Sequence, residues 1–209
     1  MTGKFISIEG TEGAGKSTAI HFVRDYLLHA HLAVLWTREP GGTDIAEEIR
    51  KLILHSRSVE VIEPETELLM VFAARNQHLK NIIQPALQAG KWVVSDRFID
   101  ASYAYQGGGR KIDEKYIRLL DQWIVGPVYP DLTLLLDISP EEGFRRTDKR
   151  GTERDRIEQE NINFFARVRE AYLERAKQDP ERIRMIDAGK PIGEVQEQLK
   201  QVMKEFVGK

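Results

Sequence analysis

The chain has 209 residues, of which 41% are hydrophobic, 31% charged and 8% aromatic. That balance suits one folded domain with a real core and excludes disordered or collagen-like chains. With 31 basic against 33 acidic residues and a formal charge of -2, nothing in the overall charge asks for nucleic acid or an anionic membrane, so any bound phosphate has to be held locally.

Cysteine is absent, which rules out disulfides and thiolate metal sites and suits a reducing cytoplasm. No apolar run approaches the roughly 18 residues of a membrane span, and Met-Thr-Gly-Lys followed at once by an alternating strand pattern does not read as a signal peptide. A cytoplasmic protein without nucleic-acid or membrane partners is expected.

In chain order, strands are expected at residues 5–9, 34–38, 92–95, 132–137 and 183–187, each a short β-branched or aliphatic run. Between them the apolar spacing turns helical, as in Ile20, Val23, Leu27 and Ala30, and later in Ile192, Val195, Leu199, Val202 and Phe206. Pro64 opens a helical stretch that runs to about residue 84. Gly90 and Gly126 stand where helices should end, and Ser139, Pro140 and Glu142 spell a capping box.

Residues 145–156 carry six basic and three acidic side chains and almost no apolar ones, and read as a mobile basic lid. No repeat or linker divides the chain, so residues 1–209 are expected to form a single domain. Apolar strands alternating with helices imply an α/β fold, a parallel sheet with helices on both faces. Ligands of such sheets collect beyond the carboxyl ends of the strands.

The first strand runs into GTEGAGKST at residues 10–18, which fits the phosphate-binding spacing GxxxxGKS in the required strand-to-helix context. Gly10, Thr11, Glu12, Gly13, Ala14, Gly15, Lys16, Ser17 and Thr18 would wrap a nucleotide's phosphates. Backbone N–H groups and the helix N-terminus meet oxygens, Lys16 neutralises charge and Ser17 can ligate magnesium. No Asn-Lys pair occurs, so the guanine-reading NKxD motif is missing and a GTP switch has little room. The short chain argues against a motor or transporter ATPase.

The second strand ends in Arg38-Glu39-Pro40-Gly41-Gly42-Thr43. This is either a plain strand-to-helix turn, with Thr43 as cap, or a place where Arg38 meets a second phosphate. The third ends in Ser95-Asp96-Arg97, where Asp96 can hold magnesium or its waters and Arg97 can clamp an acceptor phosphate, if the strand neighbours the first. Ser102, Tyr105 and Gln106 offer hydrogen bonds to a base edge and sugar. Phe72 and Arg75, three apart on a helix, can stack on and bond to a flat heterocycle, although Phe72 alone also fits a core. The five His residues show no metal-like clustering.

FISIEGTEGAGKST, TREPGGT, FAAR, SDRFIDASYAYQGGGR and DRIEQE followed by a Phe-Phe helix resemble the thymidylate kinases over nearly the whole chain. The resemblance implies the P-loop NTPase fold of nucleoside monophosphate kinases, with a five-stranded parallel sheet. It also implies ATP-dependent conversion of dTMP to dTDP, magnesium and a homodimer. It would set Glu12 against the deoxyribose 3'-hydroxyl, Arg38 and Arg97 on the dTMP phosphate, Phe72 on the thymine face and Arg75 on its carbonyl edge. Ser102 and Gln106 would contact the base, and Tyr105 would crowd a ribose 2'-hydroxyl.

Where some relatives carry a basic residue in the phosphate loop, this chain has Ala14. The lid should then supply the catalytic arginine as in the bacterial form, with Arg150 first and Arg154 second. Two departures stand out. The family's ring usually precedes its arginine by four residues, which here is Val71, and three residues rather than two separate Gly151 from Asp155. A kinase for UMP, CMP or AMP and a non-enzymatic ATP-binding switch are the competing readings.

Overall fold

The computed structural model describes residues 3–55, 60–150 and 154–208. Among them are five strands: β1 (Phe5–Gly10), β2 (Val34–Arg38), β3 (Trp92–Asp96), β4 (Leu132–Asp137) and β5 (Ile183–Asp187). They form one parallel sheet in the order β2-β3-β1-β4-β5. All five expected strands are present, within one residue at their ends. The sheet is the expected α/β core, because β1, β3 and β4 are apolar nearly throughout and buried on both faces.

Alternation along β1 decides what each face receives. Ile6 and Ile8 point into a cluster shared with Leu134 and Leu136 of β4 and with Val23 and Leu27 of α1 (Lys16–His29). Leu199 and Met203 of α9 (Ile192–Val207) close that face. Phe5 points the other way, towards Phe98, Phe72 and Leu79, its ring edge-on to Phe98 at 4.8 Å. On that side Ser7 and Glu9 are also fully buried.

The remaining helices are α2 (Asp44–His55), α3 (Pro64–His78), α4 (Gln84–Gln88), α5 (Ile99–Ser102), α6 (Glu114–Leu120), α7 (Pro140–Arg150) and α8 (Ile162–Gln178). The long stretch from Pro64 is helical as expected, but a π-helical turn at Leu79–Ile83 joins α3 to α4. Further π turns span Tyr103–Gly109 and Asp121–Val125. The first of these presses against α8, where a methyl group on Gly109 would stand 2.5 Å from the Phe164 ring.

Thr43 caps α2 through the Ala46 N–H at 3.2 Å, and Ser139 accepts from the Glu142 N–H at 3.3 Å. Only half of the expected box forms there, because the Glu142 carboxylate is drawn to Arg145 and Arg146. The expected basic lid begins as helix: residues 145–150 are the last turns of α7. Residues 151–153 and the Arg150 side chain lie outside the described residues.

β1 is flanked by β3, reached through β2, on one side and by β4 on the other, which makes its carboxyl end a topological switch point. Register pairs Ile8 with Asp96. The phosphate loop and the Ser95-Asp96-Arg97 turn are thereby neighbours, as the sequence reading required.

Candidate active site

A cavity of about 600 Å³ opens over the carboxyl ends of β1, β2 and β3. Its floor is the loop before α1, from which Glu12, Gly13, Gly15, Lys16, Ser17 and Thr18 reach the cavity. Gly13 and Gly15 take φ of 76° and 87°, the left-handed region that glycine enters without steric cost. Gly13 also faces Gly143 of α7 so closely that a methyl group on either would run into the other loop's backbone, which seats α7 directly on the phosphate loop.

Lys16 Nζ donates to the carbonyls of Gly10 and Thr11 at 3.2 and 3.0 Å. Burial and the Arg97 guanidinium hold its ammonium below the ordinary lysine value, against the pull of Glu12, Asp96 and Glu9.

Arg97 takes φ 68°, which turns its side chain back across the loop. Its guanidinium donates to Gly10 O at 2.9 Å, to Glu12 Oε1 at 2.6 Å and to Tyr172 Oη at 3.3 Å. Beneath it, Glu9 accepts from the Phe98 N–H and from the Tyr172 hydroxyl, both at 2.7 Å. One buried carboxyl thus braces Arg97 indirectly, through the N–H of the following residue and through the Tyr172 hydroxyl that its head reaches.

Arg38 and Arg50 line the same side of the cavity. Arg38 pairs with Glu47 at 2.9 Å at the rim, and Arg50 donates to Pro40 O at 2.9 Å. Burial, then Arg38 and Arg97, push the Arg50 guanidinium below its ordinary value. Three cations crowding one wall is the electrostatic signature of an anion site.

The far end is a slot lined by Glu67, Val71 and Arg75, four residues apart on α3, and by Phe98, Ser102 and Gln106, with Arg75 bonded to Ser102 and Phe98 and Gln106 bonded to Glu67. Arg75 is buried and donates to Glu39 at 2.7 Å, Ser102 Oγ at 2.8 Å and Phe98 O at 2.9 Å. Behind it, His78 reaches Glu39 at 3.0 Å and Thr37 at 2.6 Å.

The model of the family described as thymidylate kinase matches residues 8–199. A thymidylate kinase of Ruthia magnifica subsp. Calyptogena magnifica is 51% identical over 201 residues, spanning 96% of this chain and 97% of its own length. One from Marinomonas sp. (strain MWYL1) is 49% identical, over 96% and 94% of the two chains. The crystal structure of the thymidylate kinase from Ehrlichia chaffeensis superposes with a TM-score of 0.78 at 32% identity, over 98% of this chain and 99% of that one. The chain belongs to the thymidylate kinase family. Its sheet and phosphate loop are those of a P-loop nucleoside monophosphate kinase.

Most residues singled out in the sequence meet at this thymidylate-kinase cavity: Glu12, Lys16, Ser17, Arg38, Arg75, Asp96, Arg97, Ser102, Tyr105 and Gln106 all line it. Gly10, Thr11 and Ala14 form the back of the loop instead, with Ala14 buried in the core.

Phe72 is not on the cavity wall. One residue on from Val71, it is rotated by about 100° around the helix and packs in the core with Phe5, Leu68 and Phe98. It supports Arg75 from behind, the guanidinium lying 4.8 Å from its ring. Val71 takes the position facing the slot.

Arg154 also lies away from the cavity wall, paired with Asp148. Arg146, not selected from the sequence, does line the cavity. Glu9, Arg50, Glu67, Phe98 and Tyr172 were missed as well, whereas the sequence already marks Val71 as standing at the family's ring position. Arg50 had a usable signal, a cation on the helix immediately after the Arg38 turn. The buried carboxyls lay inside segments that read as ordinary strand or helix.

Proposed function

We propose that the protein transfers the terminal phosphoryl group of ATP to the 5'-phosphate of dTMP, giving ADP and dTDP. The observation that carries this reading is a single cavity that runs without a break from a phosphate loop, past a wall of arginines, to a slot fit for a planar base. The loop's N–H groups and Lys16 hold the donor's phosphates. Arg38, Arg97 and, in addition to the residues read from the sequence, Arg50 hold the acceptor phosphate.

Glu12, already bonded to Arg97 and to the Tyr105 hydroxyl at 3.1 Å, faces the sugar, where the Tyr105 ring leaves little room for a 2'-hydroxyl. Arg75, Ser102 and Gln106 read the base edge, and Val71 covers one of its faces in place of Phe72.

Magnesium fits this site. Asp96 Oδ1 is buried and has no hydrogen-bond partner among the described residues, and Ser17 shares the cavity. One hydroxyl and one carboxylate, completed by water and phosphate oxygens, is the ligand set this ion favours. When bound, the ion neutralises charge on the donor's phosphates and helps to align them.

The acceptor oxygen is already ionised, so no general base is required. The work left to the protein is in-line alignment and neutralisation of spreading charge. Arginines of the lid at residues 145–156 complete that neutralisation, with Arg150 and Arg154 now joined by Arg146. We read residues 1–209 as one domain with this lid, working in the cytoplasm.

A homodimer accords with the apolar stripe of Tyr116, Leu119 and Trp123, the last 79% exposed. Sedimentation at micromolar concentration tests it.

The deciding assay follows ADP release from ATP and magnesium with dTMP, dUMP, UMP, CMP and AMP in turn. Turnover that dTMP does not stimulate, or stimulates no better than UMP or AMP, would overturn the reading. A non-enzymatic switch would show slow hydrolysis that no monophosphate changes.

A further inference from the structure

Glu67 has no part in the phosphate chemistry, yet it is fully buried in α3 at the edge of the base slot. Among the described residues, every partner of its carboxylate donates to it. Gln106 Nε2 lies at 2.8 Å, Arg110 Nε at 3.1 Å, and the Arg156 guanidinium completes the set. Arg156 is itself fixed, donating to Ile53 O at 2.7 Å.

A carboxylate between two guanidinium groups stays ionised, and an ionised carboxylate can only accept hydrogen bonds. Burial alone would push the Glu67 carboxyl up; Arg110, Arg156 and Gln106 more than offset that and hold it below the ordinary carboxylate range.

The consequence falls on Gln106. The amide atom beside Glu67 has to be nitrogen, because an oxygen there would face a second acceptor. The amide oxygen must then stand on the other side of the group, and among the described residues nothing donates to it. Gln106 lines the slot beside Arg75 and Ser102. The wall thus offers an arginine's donors next to a fixed acceptor. Thymine and uracil present the complement, a carbonyl next to the N3–H; cytosine presents the reverse, an amino group next to an acceptor nitrogen.

We propose that Glu67 sets base specificity by locking the Gln106 amide with its oxygen towards the slot, so that the site demands a donor at pyrimidine N3. Glu67 is a positioning residue: it acts through Gln106. The inference rests on the dTMP reading above and names the residue that gives it its selectivity.

The test compares dTMP, dUMP and dCMP with the full-length enzyme, ATP and magnesium. In Glu67→Gln the neighbouring amide can donate as well as accept, which frees Gln106 to turn over. The kcat/KM ratio of dTMP to dCMP should fall roughly five- to hundredfold, the cost of one mispaired buried group, chiefly through KM for dTMP. The ratio of dTMP to dUMP should not move, since the amide does not read the 5-methyl group.

Gln106→Leu leaves Glu67 and its arginines in place and should lower the dTMP to dCMP ratio by a similar factor. That variant tests the reading by Gln106; if Glu67→Gln does not fold, Glu67→Asp, whose shorter carboxylate draws back from the Gln106 amide, tests the lock in its place with the same expected fall. Equal loss on all three substrates in Glu67→Gln would mean a merely structural role and overturn the proposal, as would an unchanged dTMP to dCMP ratio in Gln106→Leu. A wild-type enzyme inactive on dTMP would strike the reaction itself, and this inference with it.

Discussion

Glu9 offers the sharpest quantitative test, because its burial converts directly into pH-dependent stability. The carboxyl is fully buried between the sheet and α8. Burial, reinforced by Asp100, pushes it up from an ordinary value of 4.5 to about 8, against Arg97, the Tyr172 hydroxyl and the Phe98 N–H. Below pH 4.5 folded and unfolded chains both hold the proton, and the stability is complete. Above it the unfolded chain releases its proton while the folded chain keeps its own until about pH 8, so stability is lost across that window.

At about 1.4 kcal/mol for each tenfold in proton affinity, the whole window is worth about 5 kcal/mol, of which about 3–4 kcal/mol falls between pH 5 and pH 8. Glu9→Gln removes the titration while keeping an acceptor for the Phe98 N–H. Urea unfolding of both proteins at pH 5, 6, 7 and 8 should therefore show the variant gaining on the wild type by that amount as pH rises. A difference that stays level across the series would refute the reasoning.

Tyr105→Ala removes both the ring and the hydroxyl bonded to Glu12, and should narrow the preference for dTMP over its ribonucleotide about tenfold, read as a ratio of kcat/KM; an unchanged ratio would clear Tyr105 of sugar selection. The double variant Arg150→Ala with Arg154→Ala should lose about 10³-fold in kcat, by the scale of arginine fingers, with dTMP binding intact by calorimetry. Full-speed turnover would move the role to Arg146, which lines the cavity. Asp96→Asn should raise the magnesium concentration for half-maximal activity severalfold, and an unshifted titration would remove Asp96 from the metal site.

Why some of the site was legible and the rest was not follows from what a sequence encodes locally. The phosphate loop is a local device: its glycines, lysine and serine act within nine residues, so spacing alone reveals it. The strands were legible because a sheet covered on both faces needs short apolar runs, and Asp96 beside the loop followed once β3 was set against β1.

Phe72 failed for a physical reason. α3 is buried on two sides, with Leu68 and Phe72 in the core and Val71 and Arg75 on the slot, so apolar periodicity cannot tell which side faces the cavity. The π turns were invisible for a similar reason, since one extra residue per turn leaves no mark on composition. Glu67 is harder still: its role depends on Gln106, Arg110 and Arg156, which lie 39, 43 and 89 residues away.

A chain of net charge -2 can bring two polyanions together because its positive charge is gathered at one cavity. The cavity's cations are not loose: Arg38 is tied to Glu47, Arg97 to Glu12 and Gly10, and Lys16 to the loop carbonyls. Each tie removes side-chain entropy before substrate arrives, so less of the binding energy is consumed in ordering them.

The ties are also incomplete. Burial, then Arg38 and Arg97, push the Arg50 guanidinium down, and Glu47 and Asp155 offset only part of that. On the proposed reading, a phosphate entering here would meet Arg97 and Arg50, both part-buried, where salt screens less than at the exposed Arg38. The protein therefore needs no overall positive charge, because Arg38, Arg50 and Arg97 gather it at one cavity.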